Sequence, residues 1–316
     1  VDSIFFRRLS SAALFIMMAG VLVFNFSNLT GKFYFSHIKN FQTGVKTPGR
    51  TLEKIRLISD YASKFDPLCA DYHYAGANAS LFLKQEKSVL KDLAKAIYLN
   101  PLNSIFLKRA GLYMIKKGET DSATKLLKAS VDCDISDAEN ALQYGAWLIS
   151  QNRAGQGIQM IKQAVSLDTK LMDRALTNMA VLNVDYDKMQ NAVPQIPGPA
   201  LAYADFLYNS GKRKEAETNY LAALDYIEKE EKISRWQYYR IYRFFLKRGK
   251  TKKALKVMQR AAAVLPFDPE IRIIMGDIYK KMGVTYRAEQ EYEQALFIDS
   301  KNTKAKNRLK QIRGRS

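Results

Sequence analysis

The sequence has 316 residues, of which 47% are hydrophobic and 26% charged, a composition typical of folded proteins and unlike that of disordered chains. Its formal net charge of +19 favours anionic partners such as nucleic acid, acidic lipid, anionic glycan or acidic protein. The two cysteines, Cys69 and Cys133, exclude a disulfide framework and, with two histidines in the chain, disfavour a zinc site. We expect both thiols to be free and buried.

An apolar run from Leu9 to Phe26 follows the basic pair Arg7 and Arg8. As a helix, its 18 residues rise about 27 Å, which is enough to cross the hydrocarbon core of a bilayer. We therefore predict a transmembrane anchor, with an aromatic belt at the far interface. The residues assigned to this belt are Phe24, Phe26, Phe33, Tyr34 and Phe35. A cleaved signal peptide is the alternative, but no A-x-A-like cleavage site follows the run.

The charges that flank the apolar run predict its orientation. The positive-inside rule places Arg7 and Arg8 in the cytoplasm and the remaining chain outside it, as in a bacterial inner-membrane protein with a periplasmic domain. Lys32 and Lys39 on the other flank weaken this preference. Because the sequence begins with Val1 rather than Met, it is interpreted either as a fragment of a larger membrane protein or as a chain with an alternative start.

Beyond residue 50, apolar residues recur every three or four positions, which predicts helices throughout. Small and apolar residues also recur at spacings of twelve, four and three, and this pattern predicts hairpins of two antiparallel helices that approach closely. Six frames share the spacing, and they begin at Ala77, Gly111, Gly145, Ala204, Tyr242 and Gly276. The turns of four hairpins are assigned to Gly118, Gly211, Gly249 and Gly283.

This pattern resembles the tetratricopeptide repeat, a 34-residue helix-turn-helix unit, from about Ala70 to Ser300. The best match is "DPEIRIIMGDIYKKMGVTYRAEQEYEQALFIDS". The resemblance implies an all-α fold, a right-handed superhelical solenoid of hairpins behind one transmembrane helix. The predicted segments are 1–35 (cytoplasmic flank and anchor), 36–69 (degenerate first repeat or linker), 70–171 (three repeats), 172–196 (truncated unit and Pro-rich kink), 197–300 (three repeats) and 301–316 (basic capping helix and tail). Because of its three prolines, the stretch "VPQIPGP" is not expected to form a regular helix.

The stretch "SRWQYYRIYRFFLKRGK" has three interpretations: a nucleic-acid stacking platform, a membrane-surface helix, or a repeat helix with a charged outer face. Its place in the repeat frame favours the third, with Tyr238, Ile241, Tyr242 and Phe245 in the core. The opposite stripe lines the concave groove in the resembled family, where Trp, Tyr and Arg are typical binding residues. Alternatively, Trp236 only covers the end of a neighbouring helix.

Reading every repeat in this way predicts a partner-binding groove that receives a protein or peptide. Its predicted residues are Tyr74, Asn78, Lys108, Asp205, Tyr208, Trp236, Tyr239, Arg243, Lys247, Asp277 and Lys280. The carboxylate clamp of chaperone-binding family members is absent, because Tyr74 and Glu139 stand where that clamp has lysines. The basic tail after Asp299 is predicted to be a solvated cap or a weak contact for anionic lipid or glycan. Nucleic acid is disfavoured as a partner.

Catalytic motifs are missing from the sequence. It contains no P-loop, no G-x-S-x-G elbow, no H-E-x-x-H and no Gly-rich dinucleotide turn, and we expect no cofactor and no metal. Three hypotheses follow. The first is a membrane-anchored interaction scaffold of the cell envelope. The second rests on a resemblance: an anchor followed at once by repeats, with "IPGPALAYADFLYNSGKRKEAETNYLAAL" and "FFLKRGKTKKALKVMQRA", is similar to the periplasmic C-terminal region of O-antigen ligase or polymerase-like membrane proteins, whose chemistry would lie upstream. The third is an anchored, cytosol-facing import or assembly receptor.

Overall fold

The computed structural model describes residues 2–40 and 43–314, with side chains from residue 13 onward, and within them the chain is all α-helical without strands, as predicted. Its helices are α1 (Asp2–Ser36), α2 (Gly49–Phe65), α3 (Ala70–Phe82), α4 (Glu86–Leu99), α5 (Ser104–Lys117), α6 (Thr120–Cys133), α7 (Ala138–Ser150), α8 (Ala154–Leu167), α9 (Met172–Val181), α10 (Tyr186–Met189), α11 (Pro197–Asn209), α12 (Arg213–Ile227), α13 (Arg235–Lys247), α14 (Thr251–Val264), α15 (Pro269–Lys281), α16 (Thr285–Ile298) and α17 (Thr303–Arg313). The Arg7 and Arg8 side chains, Val1, and residues 315–316 of the predicted basic tail lie outside what the structure describes.

Successive helices pack as the hairpins that the spacing predicts: α3 with α4, α5 with α6, α11 with α12, α13 with α14 and α15 with α16. Where the first position of a frame is glycine, the partner helix lies too close for a side chain. A Cβ atom added to Gly111 would lie 2.8 Å from the Leu127 side chain, and one added to Gly276 would lie 2.4 Å from the ring of Tyr292. The predicted spacing therefore records contacts across each hairpin.

The turn between the two helices of a hairpin contains a residue with left-handed backbone. The predicted glycines have this conformation, with φ of 78° at Gly118, 79° at Gly211, 69° at Gly249 and 78° at Gly283. Three further turns use other residues, namely Lys84 (φ 60°), Asn152 (φ 60°) and Asn183 (φ 55°). Sequence reasoning missed these three because it searched for glycine, whereas asparagine also tolerates this region and lysine occupies it at a cost.

The chain divides into two compact units, Val1–Asn140 and Ala141–Ser316. In the first unit, the end of α1 packs on α2 and α3 as the first helix of an additional hairpin. The ring of Tyr34 stacks on Phe65, with centroids 5.7 Å apart, and Phe35 lies 4.8 Å from Tyr72. Tyr34 and Phe35, which were predicted for the membrane belt, therefore contact the repeat helices.

The part of α1 that precedes this contact carries large apolar side chains that are exposed, including Phe15, Val21 and Phe26. Ala13–Ser36 is long and apolar enough to cross a membrane, and a signal sequence would meet the same criterion. This segment agrees in position with the predicted anchor.

The second unit has a core that continues from α7 to α15. In the predicted truncated unit, α9 buries Met172 and Leu176, and the Tyr203 hydroxyl donates a hydrogen bond of 2.6 Å to the carbonyl oxygen of Tyr186. The expectation that prolines exclude a regular helix here is wrong beyond Ile196, since α11 begins at Pro197. Proline is compatible with the first helical turn, where its missing N–H has no intrahelical acceptor.

The two cysteines differ in exposure. Cys69 is partly buried, and its burial raises the pKa of its thiol. Cys133 is exposed at the end of α6, so the expectation of a buried thiol is wrong for this residue. Both are free.

Candidate partner-binding groove

A cleft of about 480 Å³ lies along the first helices of the last repeats in the second unit. Its lining comes from α13, α15 and α17. The lining residues are Tyr242, Leu246, Ile274, Asp277, Ile278, Lys280, Lys281 and Arg308. Apolar and aromatic side chains alternate here with cationic ones, so the cleft offers both an apolar surface and ammonium groups to a bound chain.

The single carboxylate of the cleft is already neutralised. Asp277 accepts a hydrogen bond of 2.8 Å from the Tyr292 hydroxyl and lies 2.9 Å from Nε of Arg308. By contrast, Lys280 and Lys281 form no ion pair with any described residue of the chain. The cleft is therefore cationic, and its free charges point to an anionic ligand.

The Tyr292, Asp277 and Arg308 arrangement occurs a second time in this unit. The Tyr220 hydroxyl donates to Asp205, which also pairs with Arg240 of the next repeat. Burial, and then the bond to the carboxylate, raise the pKa of Tyr220 and of Tyr292 above the ordinary tyrosine value. Asp205 and Asp277 were both predicted as groove residues, and each pairs with an arginine of the following unit; Asp277 also lines the cleft.

Trp236 is the accessible aromatic residue of α13. It is 61% exposed, with the guanidinium of Arg235 5.6 Å from its ring and Tyr239 edge-on at 5.2 Å. Tyr239 itself is 7% exposed and belongs to the core, where burial raises the pKa of its hydroxyl to about 12. A ligand on this stripe would meet Trp236 rather than Tyr239.

The other predicted residues of the second unit are distributed around the cleft. Arg243 and Lys247 are exposed on α13 and have no ion pair among the described residues, but they do not line the cleft. Tyr208 is half-buried, with its ring 5.4 Å from Phe244. Of the eleven residues predicted, the cleft contains Asp277 and Lys280.

Three predicted residues lie in the first unit. Tyr74 stacks on Phe106, with centroids 4.6 Å apart, and Lys108 lies 3.6 Å from the carboxylate of Asp137. Asn78 is buried, and its side-chain oxygen has no hydrogen-bond partner among the described residues. These side chains are packed or paired, and Lys108 in particular is not a free cation.

Sequence reasoning missed Arg308 as a lining residue because α17 was interpreted as a solvated cap. A signal was available, since Arg308 follows Ile274 by one 34-residue repeat and so has the same register. The helix does close the core, with Ala305, Leu309 and Ile312 buried. Its cations are partly neutralised, because Lys304 lies 2.8 Å from Glu270 and Arg313 lies 2.6 Å from Glu289. The basic tail therefore meets acidic side chains of α15 and α16.

The described part of the chain contains no group of three or more His, Cys, Asp or Glu side chains that could hold a metal ion.

A family model described as a tetratricopeptide repeat-like domain matches residues 198–313. No curated protein matches the chain. Among solved structures, a tetratricopeptide repeat protein from Parabacteroides merdae is 13% identical, with 92% of this chain and 99% of that chain covered and a TM-score of 0.41. YrrB, a TPR protein with an unusual peptide-binding site, is 14% identical over 68% of this chain and 96% of its own, with a TM-score of 0.34. A chain of the APC/C hetero-tetramer Cut9–Hcn1 is 12% identical over 83% of this chain, with a TM-score of 0.33, and this chain covers 52% of its length.

Proposed function

We propose that the chain is a tetratricopeptide repeat protein that acts as a membrane-anchored scaffold and holds a protein partner in the cleft between α13, α15 and α17. Stacked hairpins of this kind present an extended concave surface to other proteins. The observation that carries the proposal is the cationic cleft itself, with Leu246 and Ile274 on its apolar surface and Lys280 and Lys281 unpaired.

The chemistry of the cleft indicates the kind of segment that it receives. Free ammonium groups attract carboxylates, and the apolar lining between them accommodates an aliphatic or aromatic side chain. Trp236, exposed on the same helix as Leu246, adds an aromatic contact of the type that dominates binding energies. The partner segment is therefore acidic, with at least one large apolar residue.

Selection of a random peptide library on the full chain in lipid nanodiscs tests this function. We expect enrichment of Asp and Glu next to Leu or Phe. The selected peptide should bind at least about tenfold more weakly to Lys280→Glu, which corresponds to about 1.4 kcal/mol, and its affinity should fall with salt. Fluorescence anisotropy with the labelled peptide measures both effects.

Lys256→Glu is the matched control, because it makes the same charge change on the exposed face of α14, outside the cleft. It should bind the selected peptide as the unchanged chain does. Peptides without an acidic bias, or equal weakening by both variants, would exclude the cleft as the binding site.

We further propose that α1 anchors the chain in a bacterial inner membrane, with the repeats in the periplasm. This is supported by the exposed apolar side chains of Ala13–Phe26 and by the basic pair that precedes them in the sequence. Protease added to intact spheroplasts should digest the repeats while a cytoplasmic marker stays intact. Protection until the cells are lysed would contradict this orientation and favour a cytosol-facing receptor.

A second candidate is the periplasmic C-terminal region of an O-antigen ligase or polymerase-like membrane protein. It is favoured by the continuity of α1, whose last residues, Ser27–Ser36, pack on the first repeat helices without a linker. One uninterrupted helix would hold the repeats in a fixed position relative to membrane segments that precede it. Reading the coding sequence upstream of Val1 tests it: further in-frame spans support this candidate, and an in-frame stop codon followed by a start contradicts it.

A further inference from the structure

The apolar part of α1 extends beyond the repeat helices on one side of the first unit. Ser27 donates a hydrogen bond to the carbonyl oxygen of Phe65, the last residue of α2. Near the same level, a Cβ atom added to Gly31 would lie 3.1 Å from the carbonyl oxygen of Ala62. Residues of α1 before Ser27 therefore extend beyond the end of α2. We call this side of the unit the anchor edge.

Three turns of the first unit lie on the anchor edge, because each second helix of a hairpin runs back toward it before the next hairpin begins. They are 66–69 between α2 and α3, 100–103 between α4 and α5, and 134–137 between α6 and α7. Each turn exposes one large apolar side chain. Leu68 is 65% exposed, Leu102 75% and Ile135 69%.

Two polar side chains of these turns, Asn103 and Asp137, cap the helices that follow. The Asn103 side chain accepts hydrogen bonds from the backbone N–H groups of Ile105 and Phe106 at the start of α5. Asp137 accepts from the N–H groups of Glu139 and Asn140 at the start of α7. These two capping side chains are thus satisfied by their own helices, whereas Leu102 and Ile135 in the same turns are exposed and apolar.

Single exposed apolar residues are common on protein surfaces, so their placement carries the inference. These three recur at spacings of 34 and 33 residues, in consecutive turns and on the side from which the apolar α1 departs. The short turns on the opposite side of the same hairpins carry Lys84 and Glu119 instead. At the end of α4, Tyr98 is 78% exposed with the Lys95 ammonium 5.2 Å from its ring, a pairing suited to a membrane interface.

We infer that the anchor edge rests on the membrane that α1 crosses, with Leu68, Leu102 and Ile135 inserted at the headgroup level. This inference deepens the proposed function, because it requires α1 to be a membrane span. The three side chains and α1 together fix the first unit at a defined orientation on the bilayer. The anchor edge contacts the lipid headgroups around α1, because α1 enters the bilayer from this edge.

Lipid-dependent quenching of a fluorescent probe tests the inference. The full chain with Cys69→Ser and Cys133→Ser receives one new cysteine, labelled with NBD, and is reconstituted in nanodiscs of phosphatidylcholine and phosphatidylglycerol with or without 5-doxyl lipid. NBD at Leu102→Cys should be blue-shifted and lose at least half of its emission to the doxyl lipid. NBD at Glu119→Cys should not change, because α5 separates that turn from the edge by about 21 Å.

A third labelled site, Val21→Cys on α1, shows whether a negative result means that α1 is not in the membrane or that the anchor edge does not touch it. Quenching at Val21→Cys without quenching at Leu102→Cys overturns the inference and leaves the anchor intact. Absence of quenching at Val21→Cys removes the membrane span and the inference with it. A blue shift at Leu102→Cys that doxyl lipid does not quench means that protein, such as a second copy of the chain, covers the edge, and it too overturns the inference.

Discussion

Gly157→Ala is expected to destabilise the second unit by about 1 to 3 kcal/mol, although alanine is the better helix former. A Cβ atom at Gly157 would lie 2.5 Å from the carbonyl oxygen of Gly145 and 2.6 Å from the Ile149 side chain. The first of these neighbours is backbone and cannot turn away, so α7 and α8 must separate along their contact. Because protein cores are closely packed, separation of two helices weakens many contacts at once.

Gly155→Ala is the matched control, since it lies on the same helix with nothing within 4 Å of an added Cβ. It should leave stability unchanged or raise it by up to about 1 kcal/mol. Urea unfolding of the two variants, followed by circular dichroism, measures the difference in free energy of unfolding. If Gly157→Ala is as stable as Gly155→Ala, the close approach of α7 and α8 is not required for the fold.

The same contact explains why the fold was predictable from the sequence. Gly145 and Gly157 are separated by the spacing of twelve that identified the repeats, and the structure shows this spacing to be a contact across the hairpin. Close helix contacts require small residues at fixed positions, so a local chain pattern records a tertiary arrangement. The hairpins and their glycine turns were therefore predictable, although the left-handed backbone of Lys84 was not.

The end of α1 was not predictable in the same way. Aromatic residues after an apolar run are typical of a membrane interface, but they are equally typical of a helix that packs on a repeat. Tyr34 and Phe35 differ from Phe33 in the neighbours they meet, and those neighbours, such as Phe65 and Tyr72, belong to other helices. Local sequence does not contain this information.

The groove residues were predicted from helical spacing, which contains only part of the necessary information. Helical spacing indicates the direction in which a side chain points, and two of the residues selected in this way, Asp277 and Lys280, line the cleft. Spacing does not indicate how much of the groove-facing side of a helix is buried by the neighbouring helices. Tyr239 has the direction of a groove residue and is nevertheless buried in the core of the second unit.

The second large effect is expected at alkaline pH, where the second unit should unfold cooperatively between about pH 10 and 12. Burial raises the pKa of Tyr203, Tyr238 and Tyr239 to about 12 each, whereas an unfolded chain has tyrosine pKa values near 10. The stabilisation is complete below pH 10, because both states are then protonated. Above pH 10 the unfolded state loses protons first, and each of these residues removes up to about 1.4 kcal/mol of stability per pH unit until the folded pKa is reached.

The hydroxyls of Tyr238 and Tyr239 have no hydrogen-bond partner among the described residues. Replacing both residues by phenylalanine therefore removes the ionisable groups and keeps the buried rings. Tyr238→Phe with Tyr239→Phe should retain stability at pH 7 and unfold at a higher pH than the unchanged chain, because two groups that favour the ionised unfolded state are gone. Tyr286→Phe, at a position that is 62% exposed, should leave the midpoint where it is. Circular dichroism and tyrosinate absorbance, recorded together during a pH titration, follow unfolding and ionisation. Ionisation of all tyrosines while the helices persist would contradict this account, because it would mean that burial in the second unit does not oppose the charged form.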